Sequence, residues 1–357
     1  MPDMTHPLAA DGAMARLRLM LADMDAAPPE FRPTNFWSRG VRALVSDLEA
    51  KGFDSFRDLP SALSYFVPSY AEPFYQRHRG RIDGMLRRLS RRKAPSLIRA
   101  VSKAGRGVND YRLFRATTTG SALGLDRVSE SDIGGGERIR IGDRDFSRSM
   151  LNYLRALTLL ERNTDVSTVS AWMEIGGGYG TLGEIVLKGR DDAFFVNVDI
   201  PPVAAVSTWY LKQVFGPDAV LGYEDSRTLD RIDLAELRRQ YRAVILCPWQ
   251  LPRVEGQVDA FANFISFQEM EPDVVANYVR LVQPLTRQLV VMRNSVQGKT
   301  IAHQAGAAGT LRAVTTDATI AAFDQFDRIA SDSLIHGDES ADHSFRSEVN
   351  VLKRRGT

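Results

Sequence analysis

The chain has 357 residues, of which 44% are hydrophobic and 25% charged; 46 Lys and Arg against 44 Asp and Glu leave a formal net charge of +2. This composition excludes a disordered, collagen-like or disulfide-stapled protein, and the length exceeds one average domain of about 100–200 residues. The single cysteine, Cys247, excludes an intrachain disulfide and a cysteine-based zinc site; within the apolar run Ala243-Val244-Ile245-Leu246-Cys247 it reads as core.

No apolar stretch approaches the roughly 20 residues of a membrane span. The first residues lack a basic region followed by an apolar one, so a cytoplasmic location is expected. Charge is unevenly spread. Arg77 to Arg115 holds thirteen Lys and Arg against two Asp, a local +11 that leaves −9 for the remainder. Such a stretch suits an anionic partner, and equally a solvated helical face.

The pattern changes near residue 165. Residues 1–145 read as a mainly helical region that would cover the acceptor, and 146–357 as the catalytic domain. In the first region Phe36-Trp37 opens a helical stretch through Val41, Leu44, Val45 and Leu48, which Gly52 ends after Lys51. The basic stretch carries Leu86, Leu89, Leu97, Ile98 and Val101, broken by Pro95. Gly134-Gly135-Gly136 precedes a short alternating run at Arg138-Ile139-Arg140-Ile141. Apolar residues from Phe146 through Met150, Leu154 and Leu157 to Leu160 then recur at helical spacing.

Strands and helices alternate from there. Strands are expected at Val169 to Ile175, Phe194 to Asp199, Ala243 to Cys247, Ala260 to Ile265 and Gln288 to Met292, with two more at Phe326 to Ile329 and Glu348 to Leu352. Helices are expected from Thr181 to Lys188, after Pro201-Pro202, from the capping pair Asp233 and Glu236, and from Pro272. Such alternation implies an α/β, Rossmann-like parallel sheet with helices on both faces. Its ligands sit beyond the carboxyl ends of the strands.

Met173-Glu174-Ile175-Gly176-Gly177-Gly178-Tyr179-Gly180-Thr181-Leu182-Gly183 carries the chemistry. Glycines between a strand and a helix permit a tight turn and close approach of a ligand, and the helix N-terminus offers free N–H groups. Asp199 ends the next strand, where a carboxylate can accept hydrogen bonds from both ribose hydroxyls. Two cofactors fit. Gly178, Gly180 and Gly183 match the dinucleotide spacing G-x-G-x-x-G, which would make the chain an NAD-dependent oxidoreductase. Glu174, Gly176, Gly178 and Gly180 match E-x-G-x-G-x-G, the first motif of class I S-adenosyl-L-methionine-dependent methyltransferases. The acid before the glycines, the mid-chain position of the motif and the closing pair of strands favour the methyltransferase.

With Phe36-Trp37, Asp199-Ile200-Pro201-Pro202 and Phe264-Ile265-Ser266-Phe267-Gln268-Glu269-Met270, the glycine segment resembles the sugar O-methyltransferase family. The resemblance covers most of the second region and thinly covers the first. It implies that Glu174, Gly176, Gly178 and Gly180 contact the methionine part of S-adenosyl-L-methionine, that Asp199 takes the ribose and that Ile200 packs on the adenine. Trp249 and Gln250 would close over the adenine, with core packing as an equal reading. Ser266 and Gln268 lie in the segment that carries the sugar assignment, so they would face a sugar or glycan-type acceptor.

Methylating a sugar hydroxyl calls for a general base. Glu269 is one candidate, with a helix-stabilising acid of the first turn as the other reading of that residue. His336, which with His343 flanks Asp338, Glu339 and Asp342, is a second; that polar loop reads equally as a surface loop, and no metal site is assigned. Tyr179 within the glycine loop would lie against the donor or acceptor. The arginines of the first region could grip an anionic acceptor, or serve an RNA methyltransferase instead. The sequence contains no recognisable RNA-binding module and no Asn-Pro-Pro-Tyr-like motif, so nucleic acid ranks second. Oligomeric state stays open.

Overall fold

The computed structural model describes residues 10–70, 103–119, 122–339 and 345–356. Most of the basic stretch, together with His6, His78, Asp342 and His343, lies outside them. We number the strands of the main sheet β1 to β9 and the helices of six or more residues α1 to α9.

The sheet comprises β1 (Ala171–Ile175), β2 (Phe194–Val198), β3 (Val220–Leu221), β4 (Ala243–Leu246), β5 (Val258–Phe264), β6 (Thr286–Ser295), β7 (Phe326–Asp332), β8 (Asp338–Glu339) and β9 (Arg346–Arg354). Its order is β3-β4-β2-β1-β5-β6-β9-β7, with β8 paired to β9. The pairs from β3 to β6 are parallel, and β9 runs antiparallel to β6, β7 and β8. The parallel strands match the Rossmann-like sheet that the alternating pattern predicts, and the antiparallel β9 enters between β6 and β7 with β8 beside it.

Every residue of β1 and β2 is buried, as strands covered on both faces require. Successive side chains alternate between two cores: Trp172, Phe195 and Ile245 enter one, and Met173, Val196 and Val244 the other. Cys247 is a buried member of the first, as its apolar run predicts.

Helices α1 (Ala10–Ala26), α2 (Trp37–Lys51), α3 (Pro60–Tyr65), α4 (Lys103–Thr117) and α5 (Arg148–Asn163) precede the sheet. Ser147 caps α5 by accepting from the Met150 N–H. Within the sheet region lie α6 (Thr181–Gly189), α7 (Pro201–Phe215), α8 (Pro272–Val282) and α9 (Thr316–Ala322). Asp233 caps the single turn Leu234–Leu237, as predicted. The alternating run at Arg138 forms a hairpin, Ile139–Ile141 with Arg144–Phe146.

One core crosses the expected division after residue 145. Leu17 and Met20 of α1, Leu44 and Leu48 of α2, and Phe56 share a cluster with Val203 to Leu211 of α7 and with α5. A buried ion pair within the first region, Arg57 Nη1 to Glu130 at 2.8 Å, meets the glycine loop at Tyr179. The Tyr179 hydroxyl donates to Glu130 at 3.1 Å, and the Arg57 guanidinium lies 4.6 Å from the Tyr179 ring centre.

Candidate functional site

The carboxyl ends of β1, β2 and β5 open into a cavity of about 290 Å³. Segments from the first region form its opposite wall: Thr34 and Trp37 at the start of α2, and Leu63 to Pro68 around the end of α3.

The glycine loop makes the floor. Gly176 has φ +69°, and a Cβ there would lie 2.3 Å from the Ser266 Cβ, so only glycine fits. Gly178, at φ +60°, faces open space, with Phe66 of the opposite wall nearest at 3.9 Å. Its N–H donates to Asp199 Oδ2 at 3.0 Å, while the Ile200 N–H donates to Oδ1 at 2.8 Å. Asp199 thus lies across from the loop with lone pairs to spare on both oxygens. Burial pushes its carboxyl up to about 7, against the two N–H bonds, and Glu269 pushes in the same direction.

Glu174 lies beneath the loop, fully buried. Its Oε1 accepts from the Tyr153 hydroxyl at 2.8 Å, and among the described residues nothing partners Oε2. Burial pushes this carboxyl up to about 8. Glu174 meets the cavity through Tyr153, which lines it and stacks on Phe264 with ring centres 4.1 Å apart.

Glu269 closes the far side from the one-turn helix Phe267–Glu269. Trp37 Nε1 donates to its carboxylate at 3.2 Å and Lys299 Nζ at 3.1 Å, while the Thr34 hydroxyl donates to its carbonyl at 2.9 Å. Burial raises its carboxyl above the ordinary value, with Lys299 and Trp37 opposing. Ile265, just before this turn, has φ +74°, an uncommon backbone state for a β-branched residue and one found at constrained functional sites.

Gly176, Gly178, Tyr179, Asp199, Ile200, Ser266 and Glu269 all line the cavity. The Ser266 hydroxyl is already engaged, donating to the Ile175 carbonyl at 2.9 Å and accepting from Asn263 at 2.6 Å. Gly180 supplies the left-handed cap of α6. The other predicted residues are not brought there. Gln250 is wholly buried; it accepts from the Cys247 N–H at 2.7 Å and donates to Ser226 at 3.0 Å. Trp249 Nε1 donates to the Tyr223 hydroxyl at 2.9 Å. Both residues therefore brace the loop after β4, as in the core-packing alternative. Gln268 is also buried, its Oε1 accepting from the Ser295 N–H at 2.5 Å. His336 lies in the loop between β7 and β8, Nδ1 at 3.2 Å from Asp332 and Nε2 at 3.3 Å from Thr158. These partners consume both ring nitrogens outside the cavity, so the structure withdraws His336 as a base. Among the described residues no three His, Cys, Asp or Glu side chains cluster as metal ligands.

Sequence reasoning passed over Thr34, Tyr153, Tyr278 and Arg293, all of which line the cavity. Only Arg293 carries a local signal: an arginine directly after the apolar run Leu289-Val290-Val291-Met292.

No family model matches the chain, and no curated protein matches it. Solved structures do. The pyocyanin biosynthetic protein PhzM is 15% identical with a TM-score of 0.35; the match covers 57% of this chain and 56% of that one, little more than half its length. The mitomycin 7-O-methyltransferase MmcR is 13% identical over 98% of this chain and 74% of that one, with a TM-score of 0.37. The magnesium protoporphyrin IX methyltransferase ChlM from Synechocystis PCC 6803, solved with bound SAM, is 12% identical over 57% and 77%, with a TM-score of 0.35.

Proposed function

We propose that this protein is an S-adenosyl-L-methionine-dependent O-methyltransferase that methylates a hydroxyl of a sugar or glycan-linked small molecule. The observation that carries the reading is a pair of acids at the glycine loop without a counter-cation. Glu174 and Asp199 are buried with no cationic side chain paired to either among the described residues, and burial raises both, so a positive charge brought to the loop would favour their ionised forms. A site built this way favours a cationic sulfonium ligand and opposes the two negative charges of a dinucleotide pyrophosphate.

The residues present fit the group. Gly178 leaves a cradle that a side chain would fill, Asp199 retains acceptor capacity for two ribose hydroxyls, and Glu174 Oε2 is a buried acceptor awaiting a donor. Ile200 and Tyr278 give apolar surface to a purine. When bound, the cofactor supplies an already activated methyl group. What remains for the chain is alignment, exclusion of water and removal of the hydroxyl proton. Glu269 takes that proton. Its raised carboxyl is better matched to neutral pH than an ordinary glutamate, and Trp37 and Lys299 hold it toward the cavity. Trp37 and Tyr65, which pack on each other, both line the cavity and give it aromatic surface for the apolar face of a sugar ring; this feature and the resemblance of the Ser266 to Met270 segment support the acceptor class.

The test is calorimetry with S-adenosyl-L-methionine and NAD, followed by transfer of labelled methyl groups to fractionated cell extract. Binding of the first ligand and label in small glycans are expected. Binding of NAD instead, or label in RNA alone, overturns the reading.

A further inference from the structure

Given the methyltransferase reading, on which this inference rests, we propose that the acceptor carries an oxyanion, a carboxylate or a phosphate, and that Arg293 holds it. Arg293 lies on β6, paired with Phe264 of β5, and lines the cavity although only 3% exposed. Its Nε donates to Ser347 at 3.2 Å and its Nη2 to Asp338 at 3.2 Å. Among the described residues no acceptor meets Nη1. Nη1 is not sealed inside the protein, so an oxyanion in the cavity can complete its set.

The charge around it is incompletely balanced. Asp338 is shared with Arg148 at 3.3 Å, and Arg155, whose partner is Asp110 at 3.2 Å, adds a further positive field. Burial and these neighbours lower the Arg293 guanidinium to about 10, the direction expected of a cation short of anions. A planar guanidinium edge matches a carboxylate or phosphate geometrically.

Position separates this site from the cofactor. In the order β2-β1-β5-β6, Asp199 follows β2 and the glycine loop follows β1. Arg293 is two strands beyond the loop on the other side, about 10 Å away at the usual strand spacing. The Tyr153–Phe264 stack flanks it and offers a flat wall to a ring-shaped acceptor.

The experiment uses the full chain loaded with S-adenosylhomocysteine and titrated by calorimetry with benzoate, inorganic phosphate and the neutral isostere benzamide. One anion should bind at least tenfold tighter than benzamide, and the better of the two identifies the source. Arg293→Gln should remove that preference and leave S-adenosyl-L-methionine affinity within threefold. Equal binding of benzoate, phosphate and benzamide, or no binding of either anion, overturns the proposal, and that wild-type comparison stands even if the variant fails to fold. A thirtyfold loss of cofactor affinity in a folded Arg293→Gln would reassign the arginine to the cofactor's carboxylate. Failure of the wild type to bind S-adenosyl-L-methionine at all would instead refute the underlying reading.

Discussion

Asp199→Asn should stabilise the ligand-free protein at alkaline pH and weaken its cofactor site. The Asp199 carboxyl titrates at about 7 in the fold against an ordinary 3.8, with burial the largest cause. A folded-state value above the unfolded one makes ionisation a cost. The cost is absent below pH about 4, grows as pH rises through the unfolded value, and levels off above the folded one. At about 1.4 kcal/mol per unit, wild type carries roughly 1.5 kcal/mol of this cost at pH 5 and roughly 4 kcal/mol at pH 8. Asparagine removes it but offers only one oxygen to the two N–H donors of Gly178 and Ile200, a loss of about 1–3 kcal/mol that does not depend on pH. The difference between the two pH values cancels that loss. The stability of Asp199→Asn relative to wild type should therefore rise by about 2–3 kcal/mol from pH 5 to pH 8. Urea unfolding of both proteins at the two pH values measures it. A relative stability that is flat or falls with pH would refute the assignment of a buried, strained carboxyl. The same variant should bind S-adenosyl-L-methionine about 10²-fold more weakly, since two charge-assisted hydrogen bonds become ordinary or are lost.

Gly178→Arg should abolish cofactor binding in calorimetry while costing the fold only about 1–2 kcal/mol in denaturant melts, because its side chain would occupy open cavity and the expense is a positive φ. Glu269→Gln should lower turnover about 10²–10⁴-fold with cofactor affinity within threefold; unchanged turnover in a methyl-transfer assay removes it as the base. The preference for S-adenosyl-L-methionine over S-adenosylhomocysteine, which lacks the sulfonium charge, should grow from pH 6 to pH 8 as the carboxyls at about 7 and about 8 ionise, and a ratio of dissociation constants that stays flat would contradict the charge argument. Arg57→Ala should cost about 3–5 kcal/mol in urea unfolding, because it strands the buried Glu130 carboxylate; a loss under 1 kcal/mol would show the pair to be dispensable.

The sheet was legible because its signals are local. Apolar runs such as Phe194 to Val198 and Ala243 to Leu246 have strand length and are bounded by turns, and the glycine segment sits between strand and helix whatever surrounds it. Asp199 was legible for the same reason: it ends a strand one helix after the glycines. Trp249 and Gln250 were not, because a tryptophan and an amide after a strand look the same whether they face a ligand or Tyr223 and Ser226. His336 misled similarly, since its polar neighbours in sequence do not reveal that Asp332 and Thr158 occupy the ring. The short strands β3 and β8 have two residues each and no periodicity to read.

The wall facing the glycine loop could not be read from either half of the chain alone. Glu269 is set by Thr34 and Trp37 from 232 or more residues upstream, and Phe66 stands over Gly178 from α3's end. The buried set of Arg57, Glu130, Tyr179 and Tyr210 explains how such distant pieces keep register: each charged or hydroxyl group there leaves water only if the others are in place. Arg57 donates to Glu130 at 2.8 Å and to the Tyr210 hydroxyl at 2.7 Å, while Tyr210 donates to Glu184 of α6 at 2.5 Å. Misplacing the first region would part Arg57 and Glu130 from the Tyr210 and Tyr179 hydroxyls. The helix that follows the glycine loop is thereby fastened to the region that covers it, so the sequence boundary near 145 falls inside the site.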